Sequence, residues 1–374
     1  MNIRAWKYRL YPTKSGHKIL DQQLEDCKNL WNKLLEYTKD YYEKTGKFPP
    51  KGELFKLVKD TNLYSQVAQN IAVRLYNSIN LMIRKKKLNQ KAGFPRFKSL
   101  ERAKSLTYPQ SGFKLFNKEL HLSKIGNIEI RKHRDLIGKI KTLTIKRESS
   151  GKWFAIFTSE VEITSKVNCG SVAGIDLGIE HFAYLSNGKV IENPRNLRKS
   201  EEKLVKIQRR LSKKKKSSKN RRKAKLKIAA LHESITNQRR DFLHKTSKSL
   251  VNSYSLLCLE ALNTQSLSRG FLAKQVLDCS FAEFSNMLRY KAEEAGCKVI
   301  FVNPAGTTST CSNCGLIKKK LLSQRQHTCL CGISLHRDHN AANNILASGV
   351  KRREAETTAG TVGSQACGER VNTC

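Results

Sequence analysis

Apolar and polar residues alternate from Ile3 to Tyr11, with Trp6, Tyr8 and Leu10 on one face and Lys7 and Arg9 on the other. A period of two predicts a short, half-buried strand, ended by Pro12. From Lys18 to Tyr42 the period changes. Leu20, Leu24, Cys27, Trp31, Leu34 and Leu35 recur at three- and four-residue intervals, the stripe of an amphipathic helix. The same pattern returns at Leu54 to Val58 and at Val67, Ile71, Leu75, Ile79 and Met82, so the region from about 15 to 90 reads as a helical unit. It runs into Arg84-Lys85-Lys86-Lys87 and then Gly93-Phe94-Pro95-Arg96-Phe97-Lys98, where Gly and Pro break the helix and cations interleave with aromatics. That mixture suits stacking on bases beside phosphate contacts through Arg96 and Lys98, or simple anchoring of a loop by Phe94 and Phe97. Strand patterns dominate from Ser105 to about Thr164, for example at Phe113 to Phe116, Ile128 to Ile130, Leu143 to Ile145 and Trp153 to Phe157. They predict a small barrel or sandwich, which the first strand can join across the helical insertion.

After Gly170 three short strands follow, at Val172 to Asp176, Phe182 to Leu185 and Lys189 to Glu192, the last two joined by the hairpin signal Ser186-Asn187-Gly188. Between Arg209 and Lys227 there are 12 Lys or Arg in 19 residues, flanked by the helical stripes Leu204, Ile207, Leu211 and Leu231, Ile235, Phe242. A charge run of this kind is often only a solvated face or a localisation signal, but inside so basic a chain and between two candidate strands it reads better as a helical hairpin that grips a phosphate backbone. Ser255 to Leu259 reads as a strand ending at Glu260. Ser280-Phe281-Ala282-Glu283 matches a capping box opening a helix closed by Gly296, and Lys298 to Val302 gives one more strand. Asn340 to Ala347 is expected to be a short final helix, with a disordered tail from 351 to 374.

Charge sharpens this outline. The chain has 374 residues with 71 Lys and Arg against 31 Asp and Glu, a formal net charge of +40. Self-repulsion on that scale calls for a polyanionic partner, and nucleic acid or an anionic surface is the usual one. Apolar residues nevertheless make up 39% of the chain, enough for real cores, so wholesale disorder is excluded. No apolar run approaches the length of a membrane span, and the start lacks the apolar stretch of a secretory signal. A soluble, cytoplasmic protein with no membrane partner is expected.

Four of the 11 cysteines form two knuckles, Cys311-Ser312-Asn313-Cys314 and Cys329-Leu330-Cys331-Gly332, separated by 14 residues. Four thiolates in paired spacing point to a structural Zn²⁺, although the second knuckle is tighter than usual by one residue. Lys318, Lys319, Lys320 and Arg325 between the knuckles could touch nucleic acid. Three acids stand at strand ends or at a helix start: Asp176, Glu260 and Asp338. Taken singly, a helix-start Asp is an ordinary N-cap and a strand-end Glu an ordinary surface residue. If their strands share one sheet, the three can converge at one edge, where oxygen ligands hold two Mg²⁺ about 4 Å apart for phosphodiester hydrolysis.

These residues resemble the TnpB family of insertion-sequence proteins, relatives of the type V CRISPR effectors. The resemblance rests on Gly174-Ile175-Asp176-Leu177-Gly178-Ile179-Glu180, Leu259-Glu260-Ala261-Leu262-Asn263, the Cys311 to Cys331 loop and His336-Arg337-Asp338-His339-Asn340-Ala341-Ala342-Asn343-Asn344-Ile345. It extends to Ser65-Gln66-Val67-Ala68-Gln69 and the Gly93 to Lys98 segment. It implies an α+β multidomain protein. An N-terminal wedge β-barrel (1–14 and 105–168) would carry a helical recognition insertion (15–104), followed by a RuvC-like nuclease domain of ribonuclease-H-like α/β fold (169–350) with a zinc ribbon inserted at 305–335. It further implies a guide RNA transcribed from the element's end, double-stranded target DNA, a prokaryotic cell and a monomer or homodimer. Carried onto this sequence, Asp176, Glu260 and Asp338 become the catalytic magnesium ligands, and Cys311, Cys314, Cys329 and Cys331 the zinc ligands. Arg96, Lys98, Arg209, Arg210, Lys213, Lys214, Lys215, Arg221 and Arg222 are the expected nucleic-acid contacts. Ala261 departs from the Asp or Asn that many members carry there. The competing readings are a guide-dependent or zinc-ribbon DNA binder that does not cut, separated by metal-dependent cleavage, and a DNA-joining transposase, separated by strand-transfer products.

Overall fold

In the computed structural model, which describes residues 2–162, 167–318, 321 and 324–360, the chain divides into two compact units. The first comprises residues 1–162 with 225–230, and the second the remainder.

The first unit opens with β1 (Asn2–Tyr11), whose alternation buries Trp6, Tyr8 and Leu10 as its pattern predicts. Three helices follow, α1 (Lys14–Thr45), α2 (Lys51–Lys56) and α3 (Ser65–Lys87). The Thr13 hydroxyl accepts the Gly16 N–H to cap α1, and Gly46 ends it in the left-handed region at φ 66°. The chain then returns through β2 (Ser105–Tyr108), β3 (Phe113–Leu115), β4 (Glu119–Leu122), β5 (Gly126–Arg131), β6 (Lys139–Arg147) and β7 (Trp153–Val161). The seven strands form one antiparallel sheet in the order β2-β6-β7-β1-β5-β4-β3. The sheet curls until it is nearly closed, its edges meeting where the Tyr108 hydroxyl donates to the Ser123 carbonyl at 3.0 Å. One continuous core takes in Tyr8, Phe157 and Tyr108 from the sheet and Leu24, Trp31, Ala72 and Leu75 from the helices, so the helical insertion and the sheet bury each other. Residues 163–166, at the end of the expected barrel segment, lie outside the described residues.

In the second unit β8 (Ser171–Leu177), β9 (His181–Leu185) and β10 (Val190–Glu192) form an antiparallel meander, the last two joined through Gly188 at φ +83°. A helical hairpin, α4 (Asn196–Ser212) and α5 (Lys219–Ser253), leads to β11 (Tyr254–Glu260). Then come α6 (Thr264–Leu267), α7 (Ala273–Cys279), α8 (Phe281–Ala295) and β12 (Lys298–Val302). The five-stranded sheet has the order β10-β9-β8-β11-β12, with β8, β11 and β12 mutually parallel. Strand β11 is buried on both faces, which explains its unbroken apolar run. Leu257 and Leu259 meet α5 and α8 through Leu250, Phe284 and Leu288, while Leu256 and Cys258 meet the other layer through Ile345.

That other layer is the final helix. After the hairpin β13 (Gln326–Thr328) and β14 (Ser334–His336), α9 runs Arg337–Gly360. It starts three residues earlier than the periodicity predicts and continues ten residues into the segment expected to be a disordered tail; positions 361–374 lie outside the described residues. The apolar pattern in fact continues one turn further, to Val350, which packs with Leu346 on the core, and beyond it Arg352 pairs with Glu356 at i, i+4 while Lys298 of β12 reaches the same carboxylate. The expected capping box at Ser280 also fails. One residue separates α7 from α8, so Ser280 takes φ 53°, its hydroxyl donates back to Leu277, and Glu283 pairs with Arg240 instead. Among the described residues no helix is long and apolar enough to cross a membrane.

Candidate active site and cysteine cluster

Register places the first two acids side by side. Ile175 on β8 pairs with Leu259 on β11, so Asp176 and Glu260 follow as the next residues at the carboxyl ends of two adjacent parallel strands. Side chains alternate along a strand, so both lie on the face opposite Ile175 and Leu259, the face that α9 covers. Carboxyl ends of parallel strands are where open α/β sheets carry their sites.

Helix α9 comes unusually close to that face. A Cβ built on Gly174 would lie 2.1 Å from the Ala342 carbonyl oxygen, and one built on Gly349 would lie 2.1 Å from the Cys258 sulfur. Gly174 is two residues before Asp176, and Ala342 is one helical turn after Asp338. The close crossing therefore carries the first turn of α9, with Asp338, up to the other two acids. Its effect is electrostatic as well as spatial. Burial raises the Asp176 carboxyl well above its ordinary value, and the negative charges of Glu260 and then Asp338 push it further, against a smaller opposing pull from Arg337. Glu260 is also raised by burial, opposed by the Thr307 hydroxyl, which donates to its Oε1. Arg337 Nε lies 3.5 Å from Asp338 Oδ1, and the Asp338 N–H donates to His336 Nδ1 at 3.3 Å. The His336 ring stacks on Tyr184, the register partner of Asp176, at 4.7 Å between centroids and 9° between planes. Three half-buried carboxylates at the positive end of a helix, with one guanidinium beside them, form a donor set of hard oxygens that suits a divalent cation.

Cys311, Cys314, Cys329 and Cys331 hold their sulfurs within 4.8 Å of one another, with Cys311 to Cys331 at 3.8 Å and Cys314 to Cys329 at 3.5 Å. A tetrahedron of sulfurs about 2.3 Å from a zinc ion has edges of about 3.8 Å, so the set could hold a metal ion such as zinc. Gly315 at φ +76° and Gly332 at φ +87° make the turns after each knuckle. The single residue inside the second knuckle is accommodated because Leu330 is turned out to solvent, 96% exposed. Cys331 is pushed down to about 6, first by the Asn313 amide donating to its sulfur and then by the Ile333 N–H, which favours the thiolate that a metal needs.

The expected nucleic-acid contacts divide. Arg209, Arg210, Lys213, Lys215 and Arg222 are exposed on the α4–α5 hairpin, and Arg96 is exposed on its loop. Lys214 is half-buried. Arg221 is engaged within the hairpin, where its Nη1 donates to the carbonyls of Leu211 at 3.0 Å and Lys214 at 2.8 Å and holds the turn. Lys98 is half-buried with its Nζ 3.4 Å from the Trp31 ring centroid, and burial followed by the Arg74 charge lowers it to about 8. Phe94 anchors the loop against Tyr42 and Phe48, whereas Phe97 is 47% exposed. Of the cations between the knuckles, Arg325 pairs with Glu180, and Lys319 and Lys320 lie outside the described residues. Residue-by-residue reading missed Thr307, His336, Arg337, Asn340 and Asn344 as parts of the site. Only the i, i+4 spacing of the two asparagines on one helix hinted at a shared task.

Comparison with known proteins adds three stretches of similarity. Residues 155–269 match a family model described as probable transposase, 281–345 one described as Cas12f1-like, TNB domain, and 1–47 one described as a helix-turn-helix domain, although here those last residues form β1 and a single long helix. The chain is 33% identical to a "Putative RNA-guided DNA endonuclease" of Streptomyces pristinaespiralis over 93% of its own length and 89% of that protein's. It is 30% identical to the protein of the same description called InsQ in Escherichia coli K12, over 93% and 92% respectively. The fold is similar to the protein in a cryo-EM structure of a Cas12f1-sgRNA-target DNA complex, with a TM-score of 0.58 at 15% identity over 89% of this chain and 83% of that one.

Proposed function

Because this chain belongs to the TnpB family, the insertion-sequence-encoded RNA-guided DNA nucleases, we propose that it cuts double-stranded DNA by Mg²⁺-assisted phosphodiester hydrolysis at Asp176, Glu260 and Asp338. The observation that carries the reading is the convergence of these acids on the α9 face of the sheet, where Asp176 is pushed up first by burial and then by the charges of Glu260 and Asp338. Mg²⁺ bound there supplies Lewis acidity toward the scissile phosphate and the attacking water. The protein's own part is positional. Adjacent strands hold Asp176 and Glu260 at a fixed spacing, and the first turn of α9 brings Asp338 against them. The Arg337 guanidinium beside Asp338 offsets part of the negative charge that the acids gather.

In this reading the curled seven-stranded sheet is the wedge barrel (1–14 and 105–168), and α1 to α3 lie in the recognition insertion (15–104). The second unit holds a RuvC-like nuclease domain (169–350) with a zinc ribbon at 305–335, its structural Zn²⁺ held by Cys311, Cys314, Cys329 and Cys331. The exposed cations of the α4–α5 hairpin, with Arg96, hold the backbones of guide RNA and target DNA, either as a monomer or as a homodimer.

The test is Asp176→Ala in the guide-loaded protein. Cleavage falls by several orders of magnitude, while guide and target affinity stay within about twofold of the parent. Loss of target binding together with cleavage would make Asp176 a structural residue and overturn the assignment.

A further inference from the structure

We propose that Thr307 is a positioning residue of the nuclease site: its hydroxyl aims the Glu260 carboxylate, and Asn340 and Asn344 of α9 lock the segment that carries it. The proposal rests on the reading of Glu260 as a metal ligand, and it goes beyond that reading by naming what orients the ligand.

The segment from Pro304 to Ser312 leaves the end of β12 and leads into the first cysteine knuckle. Gly306 takes φ +82°, and its carbonyl accepts the N–H groups of Ser309 at 3.1 Å and Thr310 at 3.0 Å. This tight turn presents Thr307, which is only 6% exposed, to the site. The hydroxyl has one proton and two acceptors, Glu260 Oε1 and, at 3.2 Å, the Pro304 carbonyl. The contact to the carboxylate is the shorter, and an ionised acceptor makes the stronger hydrogen bond.

The turn is fastened from behind. Asn344 Nδ2 donates to the carbonyls of Thr307 and Thr310, each at 2.8 Å, which uses both of its amide protons. Asn340 is fully buried, donates to the Thr310 carbonyl at 2.7 Å and accepts the Ser312 N–H at 2.9 Å. Four hydrogen bonds therefore tie this turn to the helix whose first turn bears Asp338, while Thr307 ties it to Glu260. Glu260 and Asp338 are located relative to each other by this bridge as well as by the packing of α9 on the sheet. Because the bridge runs directly into Cys311, the knuckle and the acids are held as one rigid group. Hydrogen-bond partners that orient ligating carboxylates cost about 10- to 100-fold in metal affinity or activity when removed.

The experiment compares Thr307→Val, Thr307→Ser and Asn344→Ala with Glu260→Gln in the guide-loaded protein. Three quantities are measured: Mn²⁺ held beyond that bound by guide RNA alone, read by electron paramagnetic resonance; single-turnover cleavage at saturating target; and target affinity. Val keeps nearly the shape of Thr and replaces its hydroxyl with a methyl. It is expected to weaken Mn²⁺ binding and slow cleavage about 10- to 100-fold with target affinity unchanged. Ser, which restores the hydroxyl, recovers most of the loss, and Asn344→Ala gives a partial loss. Should the Val variant fail to fold, Thr307→Ala removes the same donor without strain and is read in the same way. Val matching the parent while Glu260→Gln loses Mn²⁺ would overturn the role of Thr307 and leave the acid assignment standing. A Ser variant as impaired as Val would assign the effect to packing, and so overturn the proposal too. Mn²⁺ binding and cleavage unchanged in Glu260→Gln would instead refute the acid assignment on which it rests.

Discussion

Replacing Gly174 with alanine tests whether the crossing of α9 over β8 builds the site. The added methyl would stand 2.1 Å from the Ala342 carbonyl oxygen and 2.7 Å from the Leu346 nitrogen, where ordinary contact begins near 3.4 Å. Both atoms belong to the backbone of one helical turn, so no side chain can rotate away. The helix must withdraw by more than 1 Å, and Asp338 withdraws with it. Overpacking of this kind costs about 1–3 kcal/mol of stability, which the fold survives. A displacement of about 1 Å in a reacting group costs about 100-fold in rate. The expected result for the guide-loaded variant is a single-turnover cleavage rate down about 100-fold, a modest fall in melting temperature and target affinity close to the parent's. Gly52→Ala, whose methyl would meet nothing within 4 Å, controls for the mere loss of a glycine. A Gly174→Ala protein that cuts within about threefold of the parent would refute the claim that close approach of α9 sets the acid geometry.

Two further outcomes follow from charge. In the metal-free folded protein Asp176 keeps its proton to a higher pH than in the unfolded chain, so folded-state stability falls as pH rises above about 4, the ordinary carboxyl value. Asp176→Asn should therefore melt higher than the parent at pH 7 to 8, with the advantage shrinking toward pH 4 and on adding Mg²⁺; a difference independent of pH would refute it. Removing the exposed cations Lys213 and Lys215 together should lower the slope of log affinity against log salt by about 0.7–0.9 for each phosphate no longer neutralised, whereas an unchanged slope would place the nucleic acid elsewhere.

Much of the architecture was legible because burial imposes a period. Trp6, Tyr8 and Leu10 fall on one face of β1, and the stripe from Leu20 to Leu35 is the buried face of α1, as their spacing requires. The glycine of Ser186-Asn187-Gly188 marked a hairpin, and the four cysteines a cluster, because each is a local signal. Errors arose where a residue's environment comes from elsewhere in the chain. Ser280 has the composition of a cap but serves as the junction of two helices, and α9 runs past its last apolar contact, Val350, into a polar stretch where Arg352 pairs with Glu356. For Arg221 and Lys98, expected as nucleic-acid contacts, the sequence also does not show the partners that the fold supplies. In the fold the first closes a turn and the second lies on an indole ring.

Which sheet face the acids occupy is a matter of register, and register cannot be read from either strand alone. Nor does apolar periodicity describe α9, since the face it turns to the sheet includes the small residues Ala342 and Gly349. Small residues carry little hydrophobic signal, yet they set how near two backbones can come, and that nearness is what brings Asp338 up to Asp176 and Glu260. The same surface is polar where it meets the loop before Cys311, through Asn340 and Asn344. A helix read only for its apolar stripe therefore looks short and weakly specified. Read for what it permits and what it ties down, its first three turns place Asp338, hold the turn that orients Glu260 and leave room only for glycine at position 174.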